Sequence, residues 1–342
     1  MIALPKFEIH SPGSLAEATA MSTTKDGLVR ILAGGTDLVV NMKHGLEKPA
    51  RLVWLGKLSE LRTISVSPEH ALRIGAMCTL NEIAASSTVQ QFAPVLAEAA
   101  CAVASPAIRN SATLGGNLCQ DTRCFYFNQS EFWRGALGGC IKARIPSAPN
   151  GSVCHATPGL AACTAVFCSD LAPILIALNA SVKLINQRRE RVVDLIELYR
   201  EDGANHLTLN TNEIIAELSI PAAASNQFSA FKKIRDRRSI DFALANVGVD
   251  LLLDAELLCR RAKIVVGAVQ SAPIQCKPAE AMLLNNKLTR ELIDRAAVSA
   301  SSTVSPVPNV EEPVGYRKKM VRVLVQRALL DVWSKASGES YL

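Results

Sequence analysis

Apolar runs and amphipathic segments alternate along the first sixty residues. Residues 14–21 predict a helix with Ser14 at its N-cap, and residues 28–32 predict a strand because they are apolar and partly β-branched. The strand runs into Ala-Gly-Gly-Thr-Asp at 33–37, after which residues 38–42 begin a helix. Residues 51–55 predict a second strand. The pattern therefore predicts an α+β unit in which a glycine turn joins a strand to a helix.

The middle of the chain is helical, loses its periodicity and then regains it. Residues 80–104 are apolar at helical spacing with Pro94 as an interruption, and a second glycine turn follows at 112–118. The stretch from 121 to about 160 is rich in Gly, Pro, Ser and Asn and shows no period. Such a stretch is typical of a loop that serves a function or is held by a ligand. An apolar helix after Asp170 then resumes regular structure.

The last third of the chain predicts another α+β unit. Residues 262–269 have the composition of a strand, and residues 290–300 and 316–337 have helical spacing. The final helix carries a basic run that we expect to face solvent. The run consists of Arg317, Lys318, Lys319, Arg322 and Arg327.

Composition narrows the class of protein. The chain has 342 residues, of which 49% are hydrophobic and 20% charged, as in ordinary globular proteins. Only 5% of residues are aromatic and the net charge is +6, which argues against a nucleic-acid partner. No signal peptide and no membrane-length apolar run is visible. We expect a cytoplasmic protein that does not span a membrane, unless a partner carries an export signal for both.

Cysteines are concentrated in the aperiodic stretch. Six of the ten fall between Cys119 and Cys168. In a reducing compartment, clustered cysteines favour metal or iron–sulfur ligation over disulfides. The remaining four lie in apolar or mixed surroundings, and we expect them to be small buried hydrophobic residues. They are Cys78, Cys101, Cys259 and Cys276.

Two glycine turns are the candidates for a phosphate-bearing cofactor. Glycine lets the backbone approach a ligand closely and point N–H groups at an anion, and a following helix N-terminus favours negative charge. Neither turn is the G-x-G-x-x-G dinucleotide fingerprint, so a Rossmann fold is not indicated. Two turns of this kind favour a grip on one large cofactor.

These motifs together resemble a known family. The chain contains A-G-G-T-D after a strand, followed by I-R-N-S-A-T-L-G-G-N-L, S-D-L-A-P, F-K-K-I-R and Y-R-K-K-M-V. These segments are similar to those of the FAD-binding subunits of the molybdenum hydroxylases. The resemblance implies an α+β fold with a two-part FAD-binding domain of the vanillyl-alcohol-oxidase type and a smaller α+β C-terminal domain. It places the boundaries at 1–57, 58–222 and 223–342, with an insertion at about 121–164.

The same resemblance implies a set of FAD-binding residues. The first turn would hold the pyrophosphate and the second would contribute to the flavin pocket, whereas no general acid or base for substrate chemistry stands out. For Lys233, a solvated lysine without a cofactor role remains an alternative. The implied positions are Ile31, Leu32, Ala33, Gly34, Gly35, Thr36, Asp37, Val103, Ala104, Ala112, Thr113, Gly116, Asn117, Cys119, Asp170 and Lys233.

The insertion resembles that of the β subunit of 4-hydroxybenzoyl-CoA reductase, in which a loop carries a [4Fe–4S] cluster on four cysteines. A similar loop occurs in some periplasmic aldehyde oxidoreductases. The implied ligands are Cys124, Cys140, Cys154 and Cys163. Cys119, Cys168 and His155 remain alternative ligands. Zinc sites usually contain close C-x₂₋₄-C pairs, which these four cysteines lack, so a cluster is favoured over zinc.

The function implied is electron transfer. The resemblance implies a partner subunit with a molybdenum cofactor, a small subunit with two [2Fe–2S] clusters, and an external redox partner such as ferredoxin. Aromatic dehydroxylation, as in the reductase, is the first hypothesis. An aldehyde or xanthine dehydrogenase is the second, and a zinc-stabilised assembly protein without enzymatic activity is the third.

Overall fold

The computed structural model describes residues 3–22, 28–143, 153–210, 212–237, 239–308 and 312–340. The described residues form three β-sheets with helices packed against them. Within these ranges no helix is both long and apolar enough to cross a membrane. Part of the predicted insertion, residues 144–152, lies outside the described residues.

The first sheet is small and parallel. Its strand order is β1-β3-β2, and each of its two pairings is parallel, so the chain must cross over between neighbouring strands. The Ser14 hydroxyl accepts a hydrogen bond from the Glu17 backbone N–H, which begins the first helix at the predicted cap. The elements are β1 (Glu8–His10), α1 (Leu15–Met21), β2 (Val29–Leu32), α2 (Leu38–Lys43) and β3 (Arg51–Trp54).

The second sheet has five antiparallel strands in the order β4-β5-β8-β6-β7. Its strands are β4 (Ile64–Val66), β5 (Leu72–Gly75), β6 (Ser181–Ile185), β7 (Glu190–Asp194) and β8 (Ile214–Ile220). Val182 and Leu184 alternate with more exposed neighbours, as expected for a strand with one face on the core.

The helices that accompany this sheet lie between β5 and β6 in the chain. The apolar faces of α3, α5 and α9 fill the core of this unit. The helices are α3 (Leu80–Ala85), α4 (Ser87–Phe92), α5 (Pro94–Cys101), α6 (Pro106–Arg109), α7 (Leu114–Leu118), α8 (Glu131–Ala136) and α9 (Ala172–Ala177).

The third sheet is antiparallel, in the order β12-β11-β10-β9. Val247 and Val249 of β10 pack into the core formed with the last helices, whereas Gly248, between them, faces α9. Helix α9 therefore joins the third sheet to the core of the second. The elements are β9 (Gln227–Ile234), β10 (Ala245–Leu253), β11 (Cys259–Gly267), β12 (Ile274–Gln275), α10 (Lys277–Leu283), α11 (Arg290–Thr303) and α12 (Val314–Ser337).

Three sequence predictions need correction. The described part of the aperiodic insertion contains one short helix, α8, which Ser130 caps. Cys101 is exposed because it ends α5 on the solvent side, although Cys78, Cys259 and Cys276 are buried as predicted. Arg317 is only 1% exposed, unlike the rest of its basic run. Its guanidinium donates to the backbone carbonyls of Leu244, Val307 and Ala268, so it ties the final helix to three loops.

We expect the substitution Gly248→Ala to destabilise the fold. A Cβ at this position would lie 2.5 Å from the Cα of Ile174 and 2.6 Å from its backbone nitrogen, and backbone atoms cannot move aside. Overpacking of this kind costs about 1–3 kcal/mol. Urea denaturation would measure the change in the free energy of unfolding.

Gly315→Ala is the matched control for this substitution. Gly315 lies in helix α12, and a Cβ there would contact nothing within 4 Å. Alanine should be neutral or slightly stabilising, by up to about 1 kcal/mol. Equal stability of the two variants would contradict the packing of α9 against β10.

Candidate functional site

A cavity of about 1060 Å³ lies where the first and second sheets meet. Both glycine turns contribute to its wall, and the cavity is large enough for a dinucleotide-sized cofactor. The predicted cofactor residues that line it are Ile31, Ala33, Gly34, Gly35, Thr36, Asp37, Thr113, Gly116 and Cys119.

The two turns touch each other through their backbones. A Cβ built on Gly34 would lie 1.8 Å from the carbonyl oxygen of Ser111, so only glycine allows this approach. Gly35 adopts a φ of +73°, in the left-handed region that glycine enters without strain. The first turn thus requires glycine at both positions, for different reasons.

The second turn is held by hydrogen bonds that the sequence pattern did not specify. The Gly115 N–H donates to the Ala76 carbonyl at 2.8 Å, and the Gly116 N–H donates to the Thr113 hydroxyl at 3.1 Å. Asn117 is turned inward, where its side-chain oxygen accepts from the Ser169 hydroxyl at 2.7 Å. Asn117 therefore joins this turn to the segment that precedes α9 and does not line the cavity.

Asp37 lies at the cavity wall but its carboxylate is occupied by protein groups. One oxygen accepts from the Arg123 guanidinium, and the other accepts from the Asp121 backbone N–H at 3.1 Å. Burial raises the pKa of this carboxyl, and the charge of Arg123 opposes that shift. Asp37 thus anchors the start of the cysteine-rich insertion to the first glycine turn.

A second group of predicted residues lies away from this cavity. Lys233 donates to the Asp170 carboxylate at 2.6 Å, and both side chains are almost fully buried. Burial raises the pKa of Asp170, whereas Lys233 and the Asn246 amide stabilise its charged form. The alternative of a solvated Lys233 is therefore wrong.

The same buried pair reaches the segment that contains Val103 and Ala104. Lys233 also approaches the carbonyl of Ala102 at 3.4 Å, and the Ile240 N–H donates to the Ala104 carbonyl at 3.1 Å. Ala104 has a φ of +42°, which is uncommon for a residue with a Cβ. The remaining predicted cofactor residues do not line the cavity. They are Leu32, Val103, Ala104, Ala112, Asn117, Asp170 and Lys233.

The four predicted cluster cysteines lie together in one small core. Cys124, Cys140, Cys154 and Cys163 are each 6–8% exposed and pack with the aromatic ring of Phe127. Burial raises the pKa of the Cys163 thiol to about 12, and neighbouring Cys140 and Cys124 contribute in the same direction. The four predicted ligands therefore share one buried core.

The other candidate ligands are directed elsewhere. The Cys168 thiol donates to the Val166 carbonyl at 3.2 Å, and a ring nitrogen of His155 lies 2.8 Å from the Gly139 carbonyl oxygen. Cys119 belongs to the cavity wall. Over the part of the chain that the structure describes, no three His, Cys, Asp or Glu side chains are arranged to hold a single metal ion.

Comparison with known families decides the identity of the chain. Residues 5–223 match the FAD binding domain in molybdopterin dehydrogenase, and residues 229–332 match the CO dehydrogenase flavoprotein C-terminal domain. The chain belongs to the FAD-binding subunits of the molybdenum hydroxylases. This FAD-binding subunit is accordingly part of an oxidoreductase, and FAD is its cofactor.

Individual relatives support the same assignment. Over 285 residues this FAD-binding subunit is 33% identical to that of an Escherichia coli aldehyde oxidoreductase, with 81% of this chain and 86% of the relative covered. It is 27% identical to the nicotinate dehydrogenase FAD-subunit of Eubacterium barkeri, with 97% and 98% covered.

A solved structure confirms the predicted fold. The carbon monoxide dehydrogenase of Hydrogenophaga pseudoflava superimposes with a TM-score of 0.78 at 26% identity, covering 97% of this FAD-binding subunit and 99% of the matched chain. The α+β architecture with an FAD-binding part and a C-terminal α+β part is therefore correct.

Sequence patterns missed several residues of the cavity wall. Five residues line the cavity but belong to no glycine motif: Arg30, Met77, Lys142, Arg200 and His206. The only sequence signal for Lys142 was its position two residues after Cys140. Burial lowers the pKa of His206, and a ring nitrogen of this histidine lies 3.0 Å from the Gln120 carbonyl oxygen.

We expect Gly34→Ala to weaken FAD binding in this subunit. The added Cβ would push the first glycine turn away from the Ser111 backbone and alter the groove between the two turns. We expect the FAD dissociation constant to rise roughly tenfold, which corresponds to about 1.4 kcal/mol and lies within the usual range of overpacking costs. Quenching of flavin fluorescence on titration into deflavinated protein measures this constant.

Gly13→Ala is the control, since Gly13 is exposed and its added Cβ would meet only the Glu17 side chain at 3.6 Å. An FAD affinity that is the same in Gly34→Ala as in Gly13→Ala would show that the contact between the turns is unnecessary.

Proposed function

We propose that this FAD-binding subunit also binds a [4Fe–4S] cluster through its insertion, and that it serves electron transfer within a molybdenum enzyme complex. The observation that carries the proposal is the common buried core of Cys124, Cys140, Cys154 and Cys163 beside the wall of the cofactor cavity. Phe127 belongs to both, so the two sites are adjacent.

The residues at the cavity suit FAD. Backbone N–H groups of a glycine turn and the start of α2 favour the pyrophosphate, while Ile31, Met77 and Ile215 provide apolar wall for the rest of the cofactor. When bound, FAD supplies electron exchange with both two-electron and one-electron partners. The chain's own residues would hold the cofactor.

The four cysteines suit a cluster. Burial raises the pKa values of Cys124 and Cys163; iron binding would deprotonate these thiols and can fold a loop that has little other core. Cys154 receives additional support, since the hydroxyls of Thr157 and Thr164 lie 3.2 and 3.4 Å from its sulfur. Burial alone would raise the pKa of Cys154, but these and the backbone hydrogen bonds together lower it.

Zinc is the less favoured occupant. A zinc ion would draw four thiolates to about 2.3 Å from a single centre, whereas in a [4Fe–4S] cluster each thiolate binds a different iron. The four cysteines share one buried core, and along the chain they lack the close C-x₂₋₄-C pairs that are usual at zinc sites. Both observations support the cluster over a zinc-stabilised assembly protein.

The partners follow from the relatives. The similar proteins are named as subunits or medium chains of dehydrogenases, which supports a complex with a molybdenum-cofactor subunit and a small subunit with two [2Fe–2S] clusters. An external redox partner such as ferredoxin completes the proposal. Substrate chemistry would then take place on the molybdenum subunit.

The first test is a metal and flavin analysis of protein purified without oxygen. We expect about four irons per chain and broad absorption near 400 nm that bleaches with dithionite, because four thiolates suit a cubane cluster. Cys140→Ser should lose this iron, and Cys101→Ser, which changes an exposed cysteine outside the insertion, should keep it. Stoichiometric zinc without iron would refute the cluster.

Aromatic dehydroxylation and the oxidation of an aldehyde or xanthine are the alternatives for the complex. The insertion is compatible with the 4-hydroxybenzoyl-CoA reductase type and with aldehyde oxidation, while the 33% identity to an aldehyde oxidoreductase subunit favours aldehyde oxidation. We expect the intact complex to reduce an artificial acceptor with an aldehyde or xanthine, or to consume a reduced donor with 4-hydroxybenzoyl-CoA. Steady-state rates with these substrates decide between the alternatives, and no turnover with any of them would contradict all of them.

A further inference from the structure

The insertion contributes charge to the FAD cavity as well as cysteines to the proposed cluster. Asp37 and Asp121 line the cavity near the first glycine turn, where two carboxylates would repel an anionic pyrophosphate. Each of them is paired with a cation, and both cations come from the insertion. Arg123 pairs with Asp37, and Lys142 pairs with Asp121 at 2.7 Å.

Arg123 is held in place from several sides. Its backbone N–H and carbonyl form a two-bond bridge to Val166, at 2.8 and 2.7 Å. Its guanidinium donates to Asp37 and, at 3.3 Å, to the side-chain oxygen of Asn41 on α2. The guanidinium also lies 5.0 Å from the ring centroid of Phe242, which precedes β10.

Lys142 is fixed just as firmly. Its ammonium group donates to the Asp121 carboxylate and to the Thr122 carbonyl, both at 2.7 Å, and its side chain is only 6% exposed. It also lies 4.6 Å from the ring centroid of Phe127. The partners of Lys142 all belong to the insertion. Lys142 can therefore neutralise Asp121 only while the insertion is folded.

The positions of these cations link them to the cysteines. Arg123 immediately precedes Cys124, and Lys142 follows Cys140 by two residues. Loss of order around the cysteines would therefore disturb Lys142 at the cavity wall and the chain that carries Arg123, and with them the pairing of Asp121 and Asp37.

We propose that Arg123 and Lys142 are positioning residues for FAD, and that they make retention of FAD depend on the folded, cluster-bearing insertion. The dependence on the cluster rests on the function proposed above, whereas the pairing of Arg123 with Asp37 does not. FAD is held by the glycine turns, and the insertion neutralises the acidic groups next to them.

A double-mutant cycle on the full chain tests the role of Arg123, with the FAD dissociation constant as the readout. Arg123→Gln should raise it roughly tenfold, because Asp37 is left as an unpaired charge. Arg123→Lys should retain most of the affinity. In the double variant Asp37→Asn with Arg123→Gln no carboxylate is left uncompensated, so affinity should return toward that of the wild type.

Circular dichroism of each variant establishes that it is folded. Wild-type affinity in Arg123→Gln, or a double variant at least as weak as Arg123→Gln, would overturn the assignment. Even if Arg123→Gln fails to fold, the comparison of Arg123→Lys and the double variant with the wild type still decides it.

A separate experiment tests whether FAD affinity depends on the cluster. Iron content and FAD affinity are measured together for the wild type, Cys140→Ser and the exposed-cysteine control Cys101→Ser. We expect Cys140→Ser to lose both iron and FAD affinity, and the control to lose neither. Cys140→Ser without iron but with wild-type FAD affinity would overturn the linkage while the cluster assignment stands. A wild type without iron would instead refute the cluster, and the Arg123 cycle would still give its own result.

Discussion

The close approach of two backbone turns is the constraint on which the site depends. Gly34 meets the Ser111 carbonyl at a distance that no side chain permits, and this contact brings the small parallel sheet against the antiparallel one. The cavity lies along the line where they meet. Any residue with a Cβ at Gly34 would separate the two sheets at the cavity between the two glycine turns.

Charge inside the protein is arranged as pairs around this contact. Asp170 and Lys233 are buried together, and the Asn246 amide supplies a further hydrogen bond to the carboxylate. Breaking such a pair leaves an uncompensated buried charge, which is much more costly than exposing either group at the surface. Since Asp170 precedes α9 and Lys233 lies near the end of β9, the pair also ties the FAD-binding part to the C-terminal part.

The insertion is an addition that has become part of the site. Its own core is small, consisting of four cysteines with Phe127 and a few alanines, so metal binding would supply much of its stability. Its first residues nevertheless reach the glycine turn through Asp37, and its lysine reaches the cavity wall. An element with this geometry affects both the proposed cluster and the cofactor beside it.

The sequence alone determined the classes of element, the two glycine turns, the family resemblance and the set of cysteines. These signals are local, since glycine requirements, caps and helical periodicity depend on near neighbours in the chain. Only the tertiary structure decided which residues face the cavity and which are buried behind it. Asn117 and Asp170 belong to the motifs yet are buried behind the cavity wall, and Arg317 is buried although it belongs to a basic run. Arg123 pairs with Asp37, which lies 86 positions away in the chain. Such pairings depend on how sheets and loops pack together, which no local pattern of residues records.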